Sequence, residues 1–164
     1  MYNKKFMEEA IRVPLENIDK DGGPFGAVIV KEGEIIAATG NRVTANNDPT
    51  AHAEVNAIRL ACQKLGTFNL QGCEIYSSCE PCPMCLSAIY WAHIDTIYYA
   101  NTHIDAANIG FDDSFIYDEL AKNIDCRKIK SEQHDRDLAI KAFDVWRNKI
   151  DKEDPWYTNK CYKI

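Results

Sequence analysis

Two short stretches constrain this chain more than any other feature: Thr50-Ala51-His52-Ala53-Glu54 and Cys79-Glu80-Pro81-Cys82-Pro83-Met84-Cys85. They reduce to His-x-Glu and, about thirty residues later, Pro-Cys-x-x-Cys. A fold in which they act together must bring an imidazole, two thiolates and a carboxylate to one place. A catalytic zinc ion takes three protein ligands and keeps a fourth position for water. His52, Cys82 and Cys85 supply those three and leave Glu54 as an acid/base group beside the water. Two thiolates and a neutral imidazole make the shell around Zn2+ formally neutral. The ion then stays a Lewis acid that lowers the pKa of that water.

Two other readings of the cysteines compete. Cys79, Cys82, Cys85 and His52 would make a closed structural zinc site, with no open position and no chemistry. Such a site has no use for an acid two residues after the histidine. Cys79-x-x-Cys82-x-x-Cys85 also matches part of an iron–sulfur run, but the fourth cysteine of that run is missing. The catalytic site accounts for more of the residues. Cys79 is then a neighbouring or buried thiol, and Cys62, Cys73, Cys126 and Cys161 are ordinary core or surface cysteines.

A chain of 164 residues is sized for a single domain, residues 1–164. Its net charge of −6 argues against nucleic-acid binding, which needs clustered Lys and Arg. No apolar run approaches the ~20 residues of a membrane span. The first nine residues lack the apolar core of a signal peptide, so a cytoplasmic location is expected. Seven cysteines, an odd number with three of them between Cys79 and Cys85, fit metal binding in a reducing compartment better than a disulfide framework.

Along the chain, Phe6, Met7, Ala10, Ile11, Leu15 and Ile18 have helical spacing over residues 4–20. Pro14 should kink or divide that helix. Residues 27–30 and 35–38 are apolar runs around a Gly-bearing turn, a β-hairpin covered on both faces. Gly23-Pro24-Phe25-Gly26 is no phosphate loop, because the Gly spacing is wrong. Asp48-Pro49 reads as an N-cap followed by Pro at the first helical position. The helix should run to Leu65 and stop at Gly66, with His52 and Glu54 in its first turn. Residues 74–77 make a third strand. Cys82-Pro83 repeats the cap-then-Pro arrangement and opens a helix through Ala92, with Cys82 and Cys85 on one side. Two helix N-termini, each carrying partial positive charge, would then aim at one ion. Residues 96–100 make a fourth strand and 126–130 a weak one; residues 115–122 and 135–149 are helical. Strands alternating with helices give a layered α/β domain. On spacing alone, Asp112-Asp113 is a solvated loop pair and Trp91 a core residue. Phe25, between glycines, suits stacking on a flat substrate.

At this point the chain resembles the cytidine deaminase superfamily and, more narrowly, the small bacterial guanine deaminases. Four blocks carry the resemblance: residues 22–30, 46–54, 78–85 and Gly110-Phe111-Asp112-Asp113-Ser114-Phe115-Ile116-Tyr117. The second and third set the reaction class; the fourth is narrower. The resemblance implies a three-layer α/β/α sandwich on a mixed five-stranded sheet, and a homodimer that exchanges C-terminal segments. It implies one zinc per chain and hydrolytic deamination of guanine to xanthine and ammonia, with guanosine as the alternative substrate. Cytosine or tRNA adenosine would be turned over by the same chemistry. Glu54 and Asp113 would move protons; Asn41, Phe25, Ala53 and Trp91 would contact the purine. An aromatic of the tail, Tyr157 or Tyr162, would close the site as part of a lid over about residues 150–164. The tail is longer than the family's and differs in composition. No membrane or nucleic-acid partner is expected.

Overall fold

The apolar spacing at the start of the chain becomes α1, Lys4–Ile18, whose cap residue Asn3 accepts from the Lys5 amide at 3.1 Å. The computed structural model describes residues 1–151. Pro14 does not divide the helix: α1 is a single helix that contains it. Proline removes the amide that would bond the Ala10 carbonyl. Packing compensates, because Gly26 lies flush against that turn. A Cβ added there would come within 2.5 Å of both Ala10 O and Pro14 Cδ.

The hairpin forms as expected and is longer than its apolar runs: β1 spans Gly23–Lys31 and β2 Glu34–Asn41. Glu32 and Gly33, at φ +52° and +81°, turn the chain between them. Positive φ at both central residues is the tight turn that matches strand twist. After a short helix α2, Val43–Asn46, which sequence reading missed, comes α3, Ala53–Leu65, closed by Gly66 at φ +65°. The start of α3 corrects the expected cap at Asp48. Asp48 Oδ1 instead accepts from the Thr50 amide at 2.8 Å and the Thr50 hydroxyl at 2.7 Å, closing a turn. Asx turns compete with helix caps for this side chain. The N-cap is His52 itself.

Strand β3, Cys73–Cys79, leads into α4, Pro83–Trp91, with Cys82 as N-cap and Pro at its first position, as read. Then come β4, Thr96–Asn101, α5, His103–Asn108, and α6, Ser114–Ala121. The described chain groups into two units, Met1–Asp118 and a second beginning at Glu119. The second holds a 3-10 turn, Ile124–Cys126, and α7, Arg136–Arg147.

Among the described residues the sheet has four strands, in the order β2-β1-β3-β4. It is mixed: β1 pairs antiparallel with β2 and β3, and β3 parallel with β4. The fifth strand expected at residues 126–130 is not there. Its amides bond locally instead, Arg127 N to Ile124 O at 3.4 Å and Lys128 N to Glu119 Oε2 at 2.6 Å. Alternation along β1 divides the core of the first unit. Ala27 and Ile29 pack with Ala53, Ala57 and Ile89 of α3 and α4, whereas Val28 and Val30 pack with Met7 and Ala10 of α1. Helices thus flank both faces, in an α/β fold. No described helix is long and apolar enough to cross a membrane.

Gly26→Ala should lower stability by about 2 kcal/mol through overpacking against α1. Gly33→Ala meets nothing within 4 Å and should cost about 1 kcal/mol from backbone strain alone. Denaturant melts of both variants check this order; equal midpoints would show that α1 yields at the Gly26 contact.

Candidate metal centre

The C-terminal end of β3, the N-terminal end of β1 and the end of β2 lie at one edge of the sheet, since Gly23 pairs with Asn41 and Ala27 with Ser77. There α3 and α4 begin, on His52 and Cys82. Neither side chain caps its own helix, which leaves both to a third partner. His52 Nδ1 lies 3.5 Å from Cys82 Sγ and 3.5 Å from Cys85 Sγ. The three donor atoms lie within 4.8 Å of one another. Tetrahedral zinc with ordinary Zn–S and Zn–N bonds separates sulfur from nitrogen by about 3.5 Å, which both sulfur–nitrogen distances match. His52, Cys82 and Cys85 form a zinc-binding triad.

The two thiols share a proton: the hydrogen bond from Cys85 pulls the Cys82 thiol down, against burial and with help from His52, while the same bond and burial push the Cys85 thiol up, so one thiolate forms readily and a bound cation would displace the second proton. Cys82 in turn holds the His52 imidazole above its usual range. Thiolate character at a helix start is what a metal ligand needs. Cys79 stands apart from the triad: its thiol donates to Thr102 O at 3.4 Å, and burial pushes it up to about 11. Among the described residues the cluster is therefore His-Cys-Cys rather than a closed four-ligand knot.

The loop carrying Cys82 is strapped to the segment after β4. Glu80 N donates to Asn101 O at 2.8 Å, His103 donates its backbone amide to Glu80 Oε2 at 3.1 Å with Nδ1 at 2.8 Å from the same oxygen, and the Tyr117 hydroxyl reaches Pro81 O at 3.5 Å. On the other side, the Ala51 carbonyl accepts from Arg42 N at 2.9 Å and Asn56 Nδ2 at 3.1 Å, which fixes the approach to His52.

Glu54, in the first turn of α3, is 5% exposed. Ser77 Oγ donates to its Oε1 at 2.8 Å, and Oε2 lies 3.3 Å from Cys85 Sγ. Burial raises its pKa, with the Ser77 hydrogen bond working the other way. The carboxyl group is thus oriented by one hydroxyl and aimed at the triad.

A cavity of about 600 Å³ opens in front of these groups, bordered by His52, Glu54, Cys82, Asn41, Phe25 and Asp113. Cys85 is buried behind them. Phe25 meets Phe111 edge to face, with ring centroids 5.0 Å apart. Asp112 and Asp113 divide their work. Asp112 Oδ1 accepts from Ser114 N at 2.9 Å and so starts α6, while Asp113 borders the cavity, its pKa raised by burial and then by Cys82. Ala53 is buried and does not border the cavity; its carbonyl accepts from Thr39 Oγ1 at 2.7 Å.

Two sequence expectations fall elsewhere. Trp91 ends α4, 58% exposed, and does not border the cavity. Tyr157, like Tyr162 and the rest of the expected lid, lies outside the described residues. The sequence reading missed Ser77, Phe111 and His103 as site residues. Ser77 stands two residues before Cys79 on a strand, the one cue that it faces the metal end; Phe111 adjoins the Asp pair.

Residues 1–101 match the cytidine and deoxycytidylate deaminase zinc-binding region. The chain is 50% identical over 155 residues to the guanine deaminase of Bacillus subtilis, covering 94% of this chain and 99% of that one. The crystal structure of that enzyme superposes with a TM-score of 0.90 over the same shares of the two chains. A tRNA-specific adenosine deaminase of Agrobacterium fabrum is 46% identical over 94 residues, covering 57% of this chain and 62% of its own.

Cys82→Ser and Cys85→Ser should each purify with less than about a tenth of the parent's zinc, because a thiolate is lost from a three-donor set. Cys62→Ser, outside the triad, should keep full stoichiometry. Metal analysis decides, and zinc retained in either ligand variant would remove that cysteine from the set.

Proposed function

The chain belongs to the cytidine and deoxycytidylate deaminase zinc-binding family, and we propose that it hydrolyses guanine to xanthine and ammonia. The observation that carries the reading is the Glu54 carboxyl group, buried at the cavity floor and 3.3 Å from a thiol of the triad. A structural zinc site has no need of a buried acid with a raised pKa; a hydrolytic deaminase has. Similarity along nearly the whole length of the Bacillus subtilis guanine deaminase supports the choice of base.

Zinc held by the triad supplies the Lewis acidity that makes water a nucleophile at neutral pH. Glu54 accepts the proton that water gives up and delivers it to the ring nitrogen beside the attacked carbon. Water oxygen adds to the carbon that bears the exocyclic amine, so that carbon becomes tetrahedral. Glu54 and Asp113 then carry the proton of the added hydroxyl to the amine; the C–N bond breaks as that C–O bond becomes a carbonyl, and ammonia leaves. One water is consumed and Glu54 returns to its starting state. Ser77 holds Glu54 to this path by fixing one of its oxygens. Phe25 and Phe111 offer aromatic surface to the purine, and Asn41 offers an amide to its edge.

Charge favours an uncharged substrate over a polynucleotide. Among the described residues the cavity is bordered by Glu54, Glu80, Asp112 and Asp113 and by no Lys or Arg, so a phosphate backbone would meet repulsion where it needs countercharge. The proposal extends to a homodimer. Exposed Tyr90, Trp91 and Tyr99, at the end of α4 and on β4, support a subunit contact. An exchanged C-terminal segment would involve residues outside those described.

Ammonia release from zinc-loaded protein should be seen with guanine and not with cytosine or adenine. Activity with guanosine alone would keep the chemistry and change the substrate; silence on every base would end the catalytic reading. Glu54→Gln should lower kcat by about 10²–10⁴-fold, the usual share of a proton carrier, with zinc content unchanged. Asp113→Asn should lose activity with fold and zinc intact. An Asp113→Asn chain that melts earlier but turns over normally would make Asp113 structural.

A further inference from the structure

We propose that Asn17, a residue of α1 outside the cavity lining, is a positioning residue that sets the purine-contacting edge of the site through Asn41. The inference rests on the guanine deaminase reading and on Asn41 as a substrate contact. Its evidence is a network that the mechanism above does not use.

Asn17 lies in the last turn of α1 and is 8% exposed. Its two amide hydrogens go to the backbones of two strands: Nδ2 donates to Asn41 O at 2.7 Å and to Gly23 O at 3.1 Å. Gly23 and Asn41 are paired residues of β1 and β2, at the point where the ladder slips register before Gly26. The side chain therefore bridges the two strands where their own ladder is interrupted. Its Oδ1 accepts from Arg42 Nη1 at 3.4 Å, and its backbone carbonyl accepts from Lys20 N at 3.0 Å and Gly22 N at 3.1 Å.

The surroundings are cut to this side chain. A Cβ on Gly22 would fall 2.0 Å from Asn17 Nδ2, and one on Gly40 would fall 2.6 Å from Asn17 Cγ. Gly22 and Gly23 border the cavity, so the amide and the purine space share a wall one residue thick. Asn41 is 7% exposed and borders the same cavity. Its Oδ1 accepts from Val43 N at 3.2 Å, which orients the amide and leaves Nδ2 as the donor to present to a ring acceptor. Asn17 holds the backbone of Asn41, Val43 N holds its side chain, and together they fix one donor in space. Misplacement by an ångström is enough to weaken such a contact severely.

The test uses Asn17→Asp, which keeps the shape and removes both donors, and Gly40→Ala, which keeps Asn17 and pushes its amide aside. In each folded, zinc-loaded variant KM for guanine should rise about tenfold while kcat changes less than about twofold, as expected for lost ground-state placement. Asn17→Asp placed in an Asn41→Ala background should raise KM no further, because the residue works through Asn41. An unchanged KM in either single variant, or penalties on kcat/KM that multiply in the double variant, overturns the proposal while leaving the function standing. A parent chain inactive on guanine overturns both. Should Asn17→Asp fail to fold, Gly40→Ala alone decides, since the atoms it displaces are the far end of one side chain.

Discussion

The structure depends on one constraint: two helices must begin on metal ligands at a common point. His52 and Cys82 occupy N-cap positions, and neither spends its side chain on capping. Helix starts leave amides without intrahelical partners and carry partial positive charge. That charge suits thiolates, so the positions that are poor caps are good ligand sites. What remains is to hold the two starts in place. The Ala51 carbonyl fixes one, and the contacts of Glu80 and Pro81 with the segment after β4 fix the other. The sheet supplies the common floor, and Ser77 on β3 reaches Glu54 on α3 across it.

Much of the site was legible because its chemistry is local. His52-x-Glu54 and Cys82-x-x-Cys85 each sit on a single helix start, and the Pro after Cys82 announces that start directly. The start of α3 was misread because Asp48-Pro49 has the same form as a cap, yet Asp48 turns back on Thr50. Sequence offers no way to tell a side chain that closes a turn from one that opens a helix. Pro14 was misread for the opposite reason: its local penalty is real, but Gly26 on a strand far along the chain lets the helix lie down across it. Ser77, Phe111 and Asn17 were invisible as functional residues because their partners are distant in sequence.

The fold shows the same division. Strands β1 to β4 appeared where apolar runs predicted them, most plainly β1 and β3, where burial on both faces leaves a continuous signature. The fifth strand did not, because the amides near Arg127 found local acceptors. Trp91 was assigned to the pocket by likeness alone and lies at the far end of α4 within this chain.

The glycines at 22 and 40 carry a consequence for how such a chain can change over time. Each is small because one amide occupies the space its side chain would need. A lineage that enlarges residue 40 must shorten or redirect residue 17, and one that shortens residue 17 frees room at position 40. Positions 17, 22 and 40 should therefore drift as a set among related chains, at a distance from the ligands, while the triad beside them stays fixed.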